Sequence, residues 1–547
     1  MSDESRLGEE GLSSGAASDI RTVAKGGAVQ IAGQMSQRGF SFIFTAVALR
    51  ILGAAGYGIY RQVAQILTVA GQLGLAGFNY ATMRFITQAR GQGRHDIVRG
   101  TARVGLIGAT IGSAVVVIGI VVFARPLASM FADSPADEAH MTDLLRLGAA
   151  YVPLFAWMQL LRYCTQAYKT MVPSVMSGNV VQPVGRFLFG VTFLLVGFEV
   201  AGAISSLVIS NALGAAVAAY YFARLMTQEE RSSRTKAEAG PLVRFALPQA
   251  GASLFSVQDL GLGIILLGIF AGDRSVGFFA LGLTLQGPGN IFLGGIVNIW
   301  APVVTDLHAR GEIARLRSLY QTLNRWIATF SFPVFAALII ESRLWARLVG
   351  GPELAPAAAV IAILAVGNFF YTGTGPTGYL ISMTGRPGIN FVNSVIGVAL
   401  YAGLAALIVP DHGAVGMAVV DSIVTAVMNV NRVIVAWVIL RIQPFGRSFL
   451  KPVAATIAGA GALLLWKLIP GEGNALSLAG VAVAALVYAA VLKVMGLDPE
   501  EQHVWDRIRS RAFKRSKPGT GEPGTGEPSD GTPGDERGNG GARGERS

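Results

Sequence analysis

Arginines inside apolar stretches are the residues of this sequence best suited to bind an anionic ligand. Arg38, Arg162 and Arg186 each lie within a run of mainly apolar residues. A guanidinium can hold a phosphate through two parallel hydrogen bonds, and a charge inside a bilayer needs a partner or a polar cavity. We therefore predict that these three arginines line a cationic substrate cavity. The alternatives are structural pairing and snorkelling of the side chain to a membrane surface.

Amide side chains accompany the first of these arginines at helical spacing. Gln30, Gln34, Gln37 and Arg38 recur every three or four residues or lie side by side, which places them on one face of a helix. A polar stripe of this kind faces a wet cavity or a neighbouring helix, because lipid offers amides no hydrogen bonds. The candidate cavity-lining amides of the whole chain are Gln30, Gln34, Gln37, Gln65, Gln182 and Asn290.

Two aspartates at membrane depth are candidates for ion coupling. Asp259 and Asp421 each lie in an apolar stretch of the second half, so each either binds a coupling proton or sodium ion or serves as the fixed partner of an arginine. The first half is otherwise cationic at depth, whereas the second half is rich in amides. We therefore predict that the charge of the substrate is bound by the first half, and that the second half lacks buried arginines.

The sequence does not indicate a catalytic or metal site. It contains no Walker-type phosphate loop, zinc-ligand spacing or serine elbow, so we expect a protein that is not an enzyme and that holds no metal or cofactor. Asp133, Asp137 and Glu138 lie in a short loop and are interpreted as solvated. Cys164 is the single cysteine, and its apolar surroundings indicate a buried thiol. A membrane glycosyltransferase or polysaccharide polymerase is less favoured, because it would need a catalytic carboxylate, usually on a sizeable external loop.

Membrane-spanning helices must position these residues. Of the 547 residues 52% are hydrophobic and only 14% are charged, and the mean hydropathy is +0.51. The apolar blocks are roughly 17 to 26 residues long, enough for a helix rising 1.5 Å per residue to cross about 30 Å of hydrocarbon. The sequence therefore predicts an all-α integral membrane protein with about fourteen transmembrane helices. The predicted spans are 28–52, 59–83, 104–124, 144–167, 174–197, 201–226, 245–271, 276–303, 325–349, 355–382, 388–409, 414–440, 452–469 and 475–495.

Basic residues are concentrated in alternate connections between the predicted spans. Arg84, Arg90, Arg94, Arg99 and Arg103 follow the second span, and similar clusters follow the sixth, eighth and twelfth. By the positive-inside rule these connections and both termini are cytoplasmic, so we expect a multi-pass protein of the cytoplasmic (inner) membrane. The same topology explains the net charge of +11, and we expect membrane lipids rather than nucleic acid as partners.

A glycine pattern occurs twice, 219 residues apart. Glycine, four residues, glycine, one residue and an aromatic occupy positions 53–60 and again 272–279. Internal duplication is the usual construction of secondary transporters, in which two halves move about a shared central site. The repeat therefore predicts a transporter of two related halves that works by alternating access, with an outward-facing turn at each copy.

Four segments of the chain together match a known membrane family. They are ILGAAGYGIY, GLAGFNYATMRFITQARG, FALPQAGASLFSVQDLGLGIILLGIFAGDRSVGFFAL and APVVTDLHARGE. They resemble the polysaccharide-export flippases of the multidrug, oligosaccharidyl-lipid and polysaccharide superfamily, over about residues 24–495. The resemblance implies two six-helix bundles related by a pseudo-twofold axis, followed by two further helices.

The resemblance also implies a function. A polyprenyl-(pyro)phosphate-linked oligosaccharide would move from the cytoplasmic to the outer leaflet, for assembly of a surface polysaccharide or glycoconjugate. In such flippases a cationic cavity holds the phosphate or pyrophosphate, a role that falls here on Arg38, Arg162 and Arg186. Partners would be the lipid-linked oligosaccharide and, in the same process, a polysaccharide polymerase or glycosyltransferases. Lipid II flippases of peptidoglycan synthesis, with a similar basic cavity, remain an alternative, as do multidrug or cation antiporters of the same superfamily.

These observations divide the chain into segments. We predict a flexible cytoplasmic N-terminus (1–23), a first six-helix bundle (24–226), a cytoplasmic linker (227–244), a second six-helix bundle (245–440), two additional transmembrane helices (452–495), a basic amphipathic segment (496–516) and a disordered tail (517–547).

Overall fold

The computed structural model describes residues 3–132, 134–232, 238–254, 261–384, 386–471 and 473–496. These residues form helices and turns, and there is no strand among them. The α-helices are α1 (Asp3–Leu75), α2 (Phe78–Gly91), α3 (His95–Ser129), α4 (Pro135–Gly148), α5 (Tyr151–Gln166), α6 (Val172–Val175), α7 (Gln182–Val196), α8 (Glu199–Leu225), α9 (Gln228–Ser232), α10 (Ala239–Leu254), α11 (Leu262–Gln286), α12 (Ile291–Ala309), α13 (Ile313–Ile340), α14 (Ser342–Gly350), α15 (Ala358–Thr374), α16 (Thr377–Met383), α17 (Pro387–Leu440), α18 (Leu450–Trp466) and α19 (Asn474–Met495). A π-helical segment (Met176–Val181) precedes α7, and 3-10 turns occupy Pro288–Asn290, Pro352–Ala357 and Arg447–Phe449.

The helices have the length and composition of membrane spans. Within the described residues, eleven helical segments are long and apolar enough to cross a bilayer. The predicted all-α, multi-pass membrane architecture is therefore confirmed. Three of the α-helices, α1, α11 and α17, each contain a glycine with non-helical backbone in the interior, namely Gly53, Gly272 and Gly413. Counting each of these three as two segments gives fourteen, although the number of membrane crossings itself stays a prediction.

The two copies of the glycine pattern adopt the same backbone turn. Gly53 has φ 68° and ψ −176°, and Gly272 has φ 72° and ψ 175°. A positive φ of this size favours glycine, because a Cβ atom would be strained there. The turns predicted at these two positions are present, and each one folds its helix into a hairpin.

The two hairpins touch through a reciprocal contact. The backbone of Gly58 lies against the main-chain carbonyl of Asp273, and the backbone of Gly277 lies against that of Ala54. In both contacts the approach is so close that a Cβ atom on the glycine would overlap the opposing carbonyl. The side chain of Gln62 adds a hydrogen bond of 2.7 Å from Nε2 to Asp273 Oδ1. Two like surfaces that exchange the same contact are what a twofold axis generates.

Several predicted spans are divided in the structure, among them 59–83, 276–303 and 325–349. The predicted span 325–349 was wrong as a single helix, because α13 ends before Glu341 and α14 begins after it. Glu341 is 5% exposed and lies 3.3 Å from Lys467 Nζ, so its carboxylate is paired where the chain turns. Helix α14 is amphipathic, with Leu344 buried and Arg347 exposed. It therefore lies along the surface of the bundle.

A break also divides the predicted span 355–382. Helix α15 ends before Gly375, whose φ is 64°, and Pro376 precedes α16. Asn324 donates from Nδ2 to the Gly373 carbonyl at 2.7 Å and so satisfies one of the carbonyls released at the break. Gly375 and Pro376 therefore mark the end of this helix.

A buried carboxylate fastens the connection between the two predicted halves. Glu230 in α9 is 0% exposed, and its Oε1 lies 2.9 Å from Arg90 Nε. Its Oε2 accepts hydrogen bonds from the Tyr168 hydroxyl (2.8 Å) and the Thr227 amide (2.9 Å). Burial by itself raises the pKa of a carboxyl, but these hydrogen bonds outweigh it and hold the pKa of Glu230 below its ordinary value. Glu230 is therefore a charged anchor that ties α9 to the first half.

One further prediction about a single residue is confirmed, and several others concern residues that the structure does not describe. Cys164 is fully buried within the first half, as its surroundings predicted. Asp133, Asp259, the basic segment from residue 497 onward and the tail 517–547 lie outside the described residues.

Candidate functional site

A polar cavity lies between helices of the two predicted halves. It has a volume of about 520 Å³. The first half contributes Gln34, Gln37, Arg38 and Ser41 from α1, and Asn179 from the π-helical segment. The second half contributes Leu293, Gly294, Tyr371 and Tyr379. We call it the central cavity.

Helix α1 presents one polar face to the central cavity. Gln34, Gln37, Arg38 and Ser41 follow the three- and four-residue spacing that places side chains on one side of a helix. Gln30, one turn earlier, is half-buried and is not part of the described lining of this cavity. The periodic stripe in the sequence therefore located most of the first-half lining.

Arg38 connects the two predicted halves through a neutral acceptor. Its Nη1 donates to the Gly287 carbonyl at 3.0 Å. The same carbonyl accepts the Asn290 amide (3.1 Å), within the 3-10 turn that interrupts the helix between α11 and α12. A carbonyl has two lone pairs and can accept both bonds. The described partner of this half-buried guanidinium is thus a carbonyl rather than a carboxylate, which leaves its positive charge able to attract an anion.

Arg162 lies behind the central cavity. Its Nη2 donates to Asn179 Oδ1 (3.1 Å), its Nη1 to Gln159 (3.0 Å) and its Nε to the Ser174 carbonyl (3.1 Å). Asn179 in turn donates from Nδ2 to Gln37 Oε1 at 2.6 Å. The structure therefore gives Arg162 a fixed set of protein partners and places it one residue away from the cavity surface.

The π-helical segment explains how Arg162 reaches these partners. Pro183 has no amide hydrogen, so it makes no helical bond to the carbonyl of Asn179. The guanidinium of Arg162 lies directly against Gly178, where any side chain would overlap it. Single π-helical turns of this kind are frequent at functional sites.

Arg186 is enclosed by aromatic rings. Its guanidinium carbon lies 4.8 Å from the centroid of the Phe44 ring and 5.5 Å from that of Tyr60. Among the described residues its Nε has no hydrogen-bond partner. Arg186 does not line the central cavity as described. The three predicted arginines therefore occupy three environments, and Arg38 alone of them faces this cavity.

A second cavity, of about 390 Å³, lies among helices of the second half. We call it the lateral cavity. Tyr371 lines it as well as the central cavity, so the two are neighbours. Its polar lining comprises Gln286, Asn290, Asn368, Tyr371, Asn393, Ser394, Tyr401, Asp421, Thr425 and Arg432.

The remaining predicted residues have separate positions. Asn290 and Asp421 line the lateral cavity, and Asp421 Oδ1 accepts a hydrogen bond of 3.0 Å from the Tyr401 hydroxyl. Gln65 packs against the backbone of Gly261, at the start of α11. Gln182 begins α7 and, in the described parts of the chain, lines neither cavity.

The predicted lack of buried arginines in the second half was wrong. Arg325 in α13 is 6% exposed, and Arg432 in α17 lines the lateral cavity. Arg432 stands eight residues before the end of the predicted span 414–440, where a long cationic side chain commonly reaches the membrane surface. The Arg432 side chain points toward the protein interior because of how α17 packs, and the sequence pattern alone does not predict that packing.

Comparison with known proteins gives one family and one fold. A family model described as "Polysaccharide biosynthesis protein" matches residues 23–308. No curated protein sequence matches the chain. The solved structure of the lipid II flippase MurJ in an inward closed conformation is similar with a TM-score of 0.70 and 11% identity, over 85% of this chain and 98% of that one.

Two further solved structures have the same fold. An inward-facing multidrug resistance transporter of the MATE family, from the MOP superfamily, gives a TM-score of 0.60 at 14% identity, over 76% of this chain and 98% of that one. A MOP superfamily transporter from Pyrococcus furiosus gives 0.54 at 13% identity, over 77% and 96%. At these identities the similarities establish a shared fold of MOP superfamily transporters.

Proposed function

This chain belongs to the polysaccharide biosynthesis protein family, and on that premise we propose that it is a flippase for a polyprenyl-(pyro)phosphate-linked oligosaccharide. It moves this substrate across the cytoplasmic membrane by alternating access, for assembly of a surface polysaccharide or glycoconjugate. The transport is not enzymatic, because the substrate leaves chemically unchanged. Both termini lie in the cytoplasm.

The observation that carries the proposal is the position of Arg38. It lines a cavity that both halves enclose, and its described hydrogen bond goes to the neutral Gly287 carbonyl. A phosphate oxygen is a stronger acceptor for a guanidinium than a carbonyl is, because the bond is then assisted by both charges. The phosphate group therefore binds at Arg38, while Arg162 holds Asn179 and Gln37 in place and Arg186 adds positive charge from its aromatic enclosure.

Ion coupling is part of the proposal. Asp421 and Asp259 are the candidate sites for a coupling proton or sodium ion, and the protein uses no other cofactor. Asp421 supports this assignment by its position, since it lies in a polar cavity beside the central one. A polysaccharide polymerase and glycosyltransferases act in the same process, before or after translocation.

A translocation assay tests the function. The full chain is reconstituted in vesicles, and a short-chain polyprenyl pyrophosphate saccharide with a fluorescent label on the sugar is added. Wild-type protein makes the label accessible on the far side, whereas Arg38→Ala lowers the rate by roughly 100-fold, the loss expected for a charge-assisted bidentate bond. Unchanged translocation by Arg38→Ala and by Arg186→Ala would remove the cationic-cavity mechanism.

The substrate panel separates the alternatives. Lipid II flipped in preference to other saccharide lipids would assign the protein to peptidoglycan synthesis. Transport of organic cations without lipid-linked saccharides would assign it to the antiporters, a result that a cationic cavity disfavours because like charges repel.

A further inference from the structure

The lateral cavity contains buried polar atoms that have no partner within the described residues. They are Gln286 Oε1, Asn290 Oδ1, Asn393 Nδ2 and Arg432 Nε, and all four residues line this cavity. Gln286 is 3% exposed and Asn393 is 5% exposed. Buried polar atoms in folded proteins nearly always have a partner, so a group of four in one cavity indicates a place where a polar ligand binds.

The orientation of the three amides is fixed by their other atoms. Gln286 donates from Nε2 to the Ile361 carbonyl (3.3 Å), and Asn290 donates from Nδ2 to Asn368 (2.8 Å). Asn393 accepts at Oδ1 from Asn431 Nδ2 (2.8 Å). Gln286 and Asn290 therefore offer acceptor oxygens, and Asn393 offers a donor.

This mixture of donors and acceptors selects one ligand class. A phosphate would need donors only, and a metal cation would need acceptors only. A hydroxyl group both donates and accepts, so a hydroxyl-rich ligand can satisfy the two acceptors together with the donors of Asn393 and Arg432. Asp421 is a further acceptor in the same cavity, and the Tyr401 hydroxyl already occupies its Oδ1. The set fits a neutral sugar.

The two cavities are neighbours near the turn to which Arg38 is hydrogen-bonded. Arg38 binds the carbonyl of Gly287, and Asn290, three residues later in the same 3-10 turn, lines the lateral cavity. Tyr371 lies at both cavities and offers an aromatic ring between them. A phosphate bound at Arg38 therefore places the sugar attached to it next to Asn290.

We infer that the lateral cavity is a saccharide subsite, which binds the sugar residue next to the (pyro)phosphate. The inference rests on the proposed function. The volume of about 390 Å³ is near the lower end of the 300 to 1,000 Å³ usual for small-molecule sites, so it accommodates a short saccharide unit rather than a chain. The flippase thus contacts its substrate with a cation at the phosphate and with amides at the adjoining sugar.

Binding of matched lipids tests the subsite. The purified full chain is titrated with a short-chain polyprenyl pyrophosphate and with the same lipid bearing glucose, galactose or N-acetylglucosamine. Wild-type protein is expected to bind at least one glycosylated lipid roughly tenfold more tightly than the sugar-free lipid, the effect of one or two net hydrogen bonds. Asn290→Leu and Asn393→Leu should each abolish this preference and leave binding of the sugar-free lipid unchanged.

The controls separate the subsite from the proposed function. Asn211→Leu is the matched variant, because Asn211 is also buried but its Nδ2 donates to the Leu207 carbonyl of its own helix; it should keep the preference. Arg38→Ala should weaken binding of all the lipids equally. If no lipid binds to wild-type protein, the proposed function fails. If all lipids bind equally well, or if the two asparagine variants change sodium dependence instead of sugar preference, the subsite is overturned while the function stands.

Discussion

Arg38 Nη1 in the first half donates a hydrogen bond of 3.0 Å to the main-chain carbonyl of Gly287 in the second half. Arg38 lines the central cavity, and this bond joins α1 to the turn before α12. A substrate phosphate that took over this donor would also release one connection between the halves. Binding and the start of the conformational change would then share one side chain.

Lysine in place of Arg38 separates charge from geometry. Arg38→Lys keeps the positive charge but loses the planar fork, and Arg38→Gln loses both. We expect translocation to fall by about 5- to 20-fold in the lysine variant and by more than about 50-fold in the glutamine variant. Vesicle translocation rates measure both. Equal rates for Lys and Gln would mean that the charge at this position has no role.

Arg162 should behave as a structural residue. Its guanidinium has three described acceptors in the protein, and a lysine ammonium reaches fewer of them at once. Arg162→Lys is therefore expected to lower the free energy of unfolding by about 2 to 4 kcal/mol, as for a broken buried network. Thermal unfolding in detergent measures this change, with the exposed Arg103→Lys as control. A variant as stable as wild type that loses only transport would instead make Arg162 a substrate ligand.

The substitution Gly58→Ala should separate the two hairpins. A Cβ atom at Gly58 or at Gly277 would overlap a carbonyl of the opposite hairpin. We expect each alanine variant to lose roughly 1 to 3 kcal/mol of stability, the usual effect of overpacking, and to expose the contact to labelling. A cysteine introduced at the half-buried Ala54, whose carbonyl forms the contact with Gly277, reports opening by maleimide labelling, because Cys164 is fully buried.

Gly119→Ala is the matched control for this contact. Gly119 lies in α3, and a Cβ atom built on it meets no other atom within 4 Å. Labelling at position 54 that is the same in Gly58→Ala and Gly119→Ala would show that a Cβ atom at Gly58 does not separate the hairpins.

Acid should release the Glu230 anchor. The pKa of Glu230 is held below its ordinary value of 4.5, so its stabilising contribution is present above that value and is lost as the pH falls through the lower, folded-state pKa. Glu230→Gln is expected to destabilise the protein by about 1 to 3 kcal/mol at pH 7 and to flatten the loss of stability below pH 4.5. Unfolding midpoints at a series of pH values measure both effects.

The neighbouring exposed ion pair provides the control. Glu238 lies 2.7 Å from Arg94, and the two side chains are 44% and 48% exposed. Solvent screens such a pair, so Glu238→Gln should change stability by less than about 1 kcal/mol. A pH profile of Glu230→Gln that matches wild type would show that the buried carboxylate is not the group that titrates.

Asparagine at Asp421 tests ion coupling. Asp421→Asn keeps the shape and the hydrogen bond to Tyr401 but removes the charge that would bind a proton or sodium ion. We expect translocation driven by an ion gradient to fall to the rate without a gradient, while binding of the sugar-free polyprenyl pyrophosphate changes by less than about threefold. Translocation is compared with and without imposed sodium and proton gradients. Retention of the gradient effect would remove Asp421 as the coupling site.

Periodicity and composition predicted much of this molecule. The spacing of Gln34, Gln37 and Arg38 places them on one helix face, and the structure finds that face at a cavity. The glycine repeat gave the positions of the Gly53 and Gly272 turns, because a left-handed backbone conformation favours this residue type. These features depend only on residues close together in the sequence, so the sequence is sufficient to predict them.

Features that depend on distant packing were missed. Arg162 is held by Ser174 and Asn179, and Asn179 lies in a π-helical segment. Pro183 in the sequence indicates a missing helical hydrogen bond but not a π-helical turn. Arg432 resembles a snorkelling residue in the sequence and becomes a cavity residue only through the packing of α17. The end of α13 at Glu341 likewise depends on Lys467, more than one hundred residues later.

The glycine contact between the hairpins constrains how this chain can evolve. Gly58 meets Asp273, and Gly277 meets Ala54, each through main-chain atoms that no substitution removes. A larger residue at either glycine therefore has no compensating side-chain change on the opposite surface. The two halves are free to diverge elsewhere, as their arginines and amides have done, but at this contact neither half can replace its glycine.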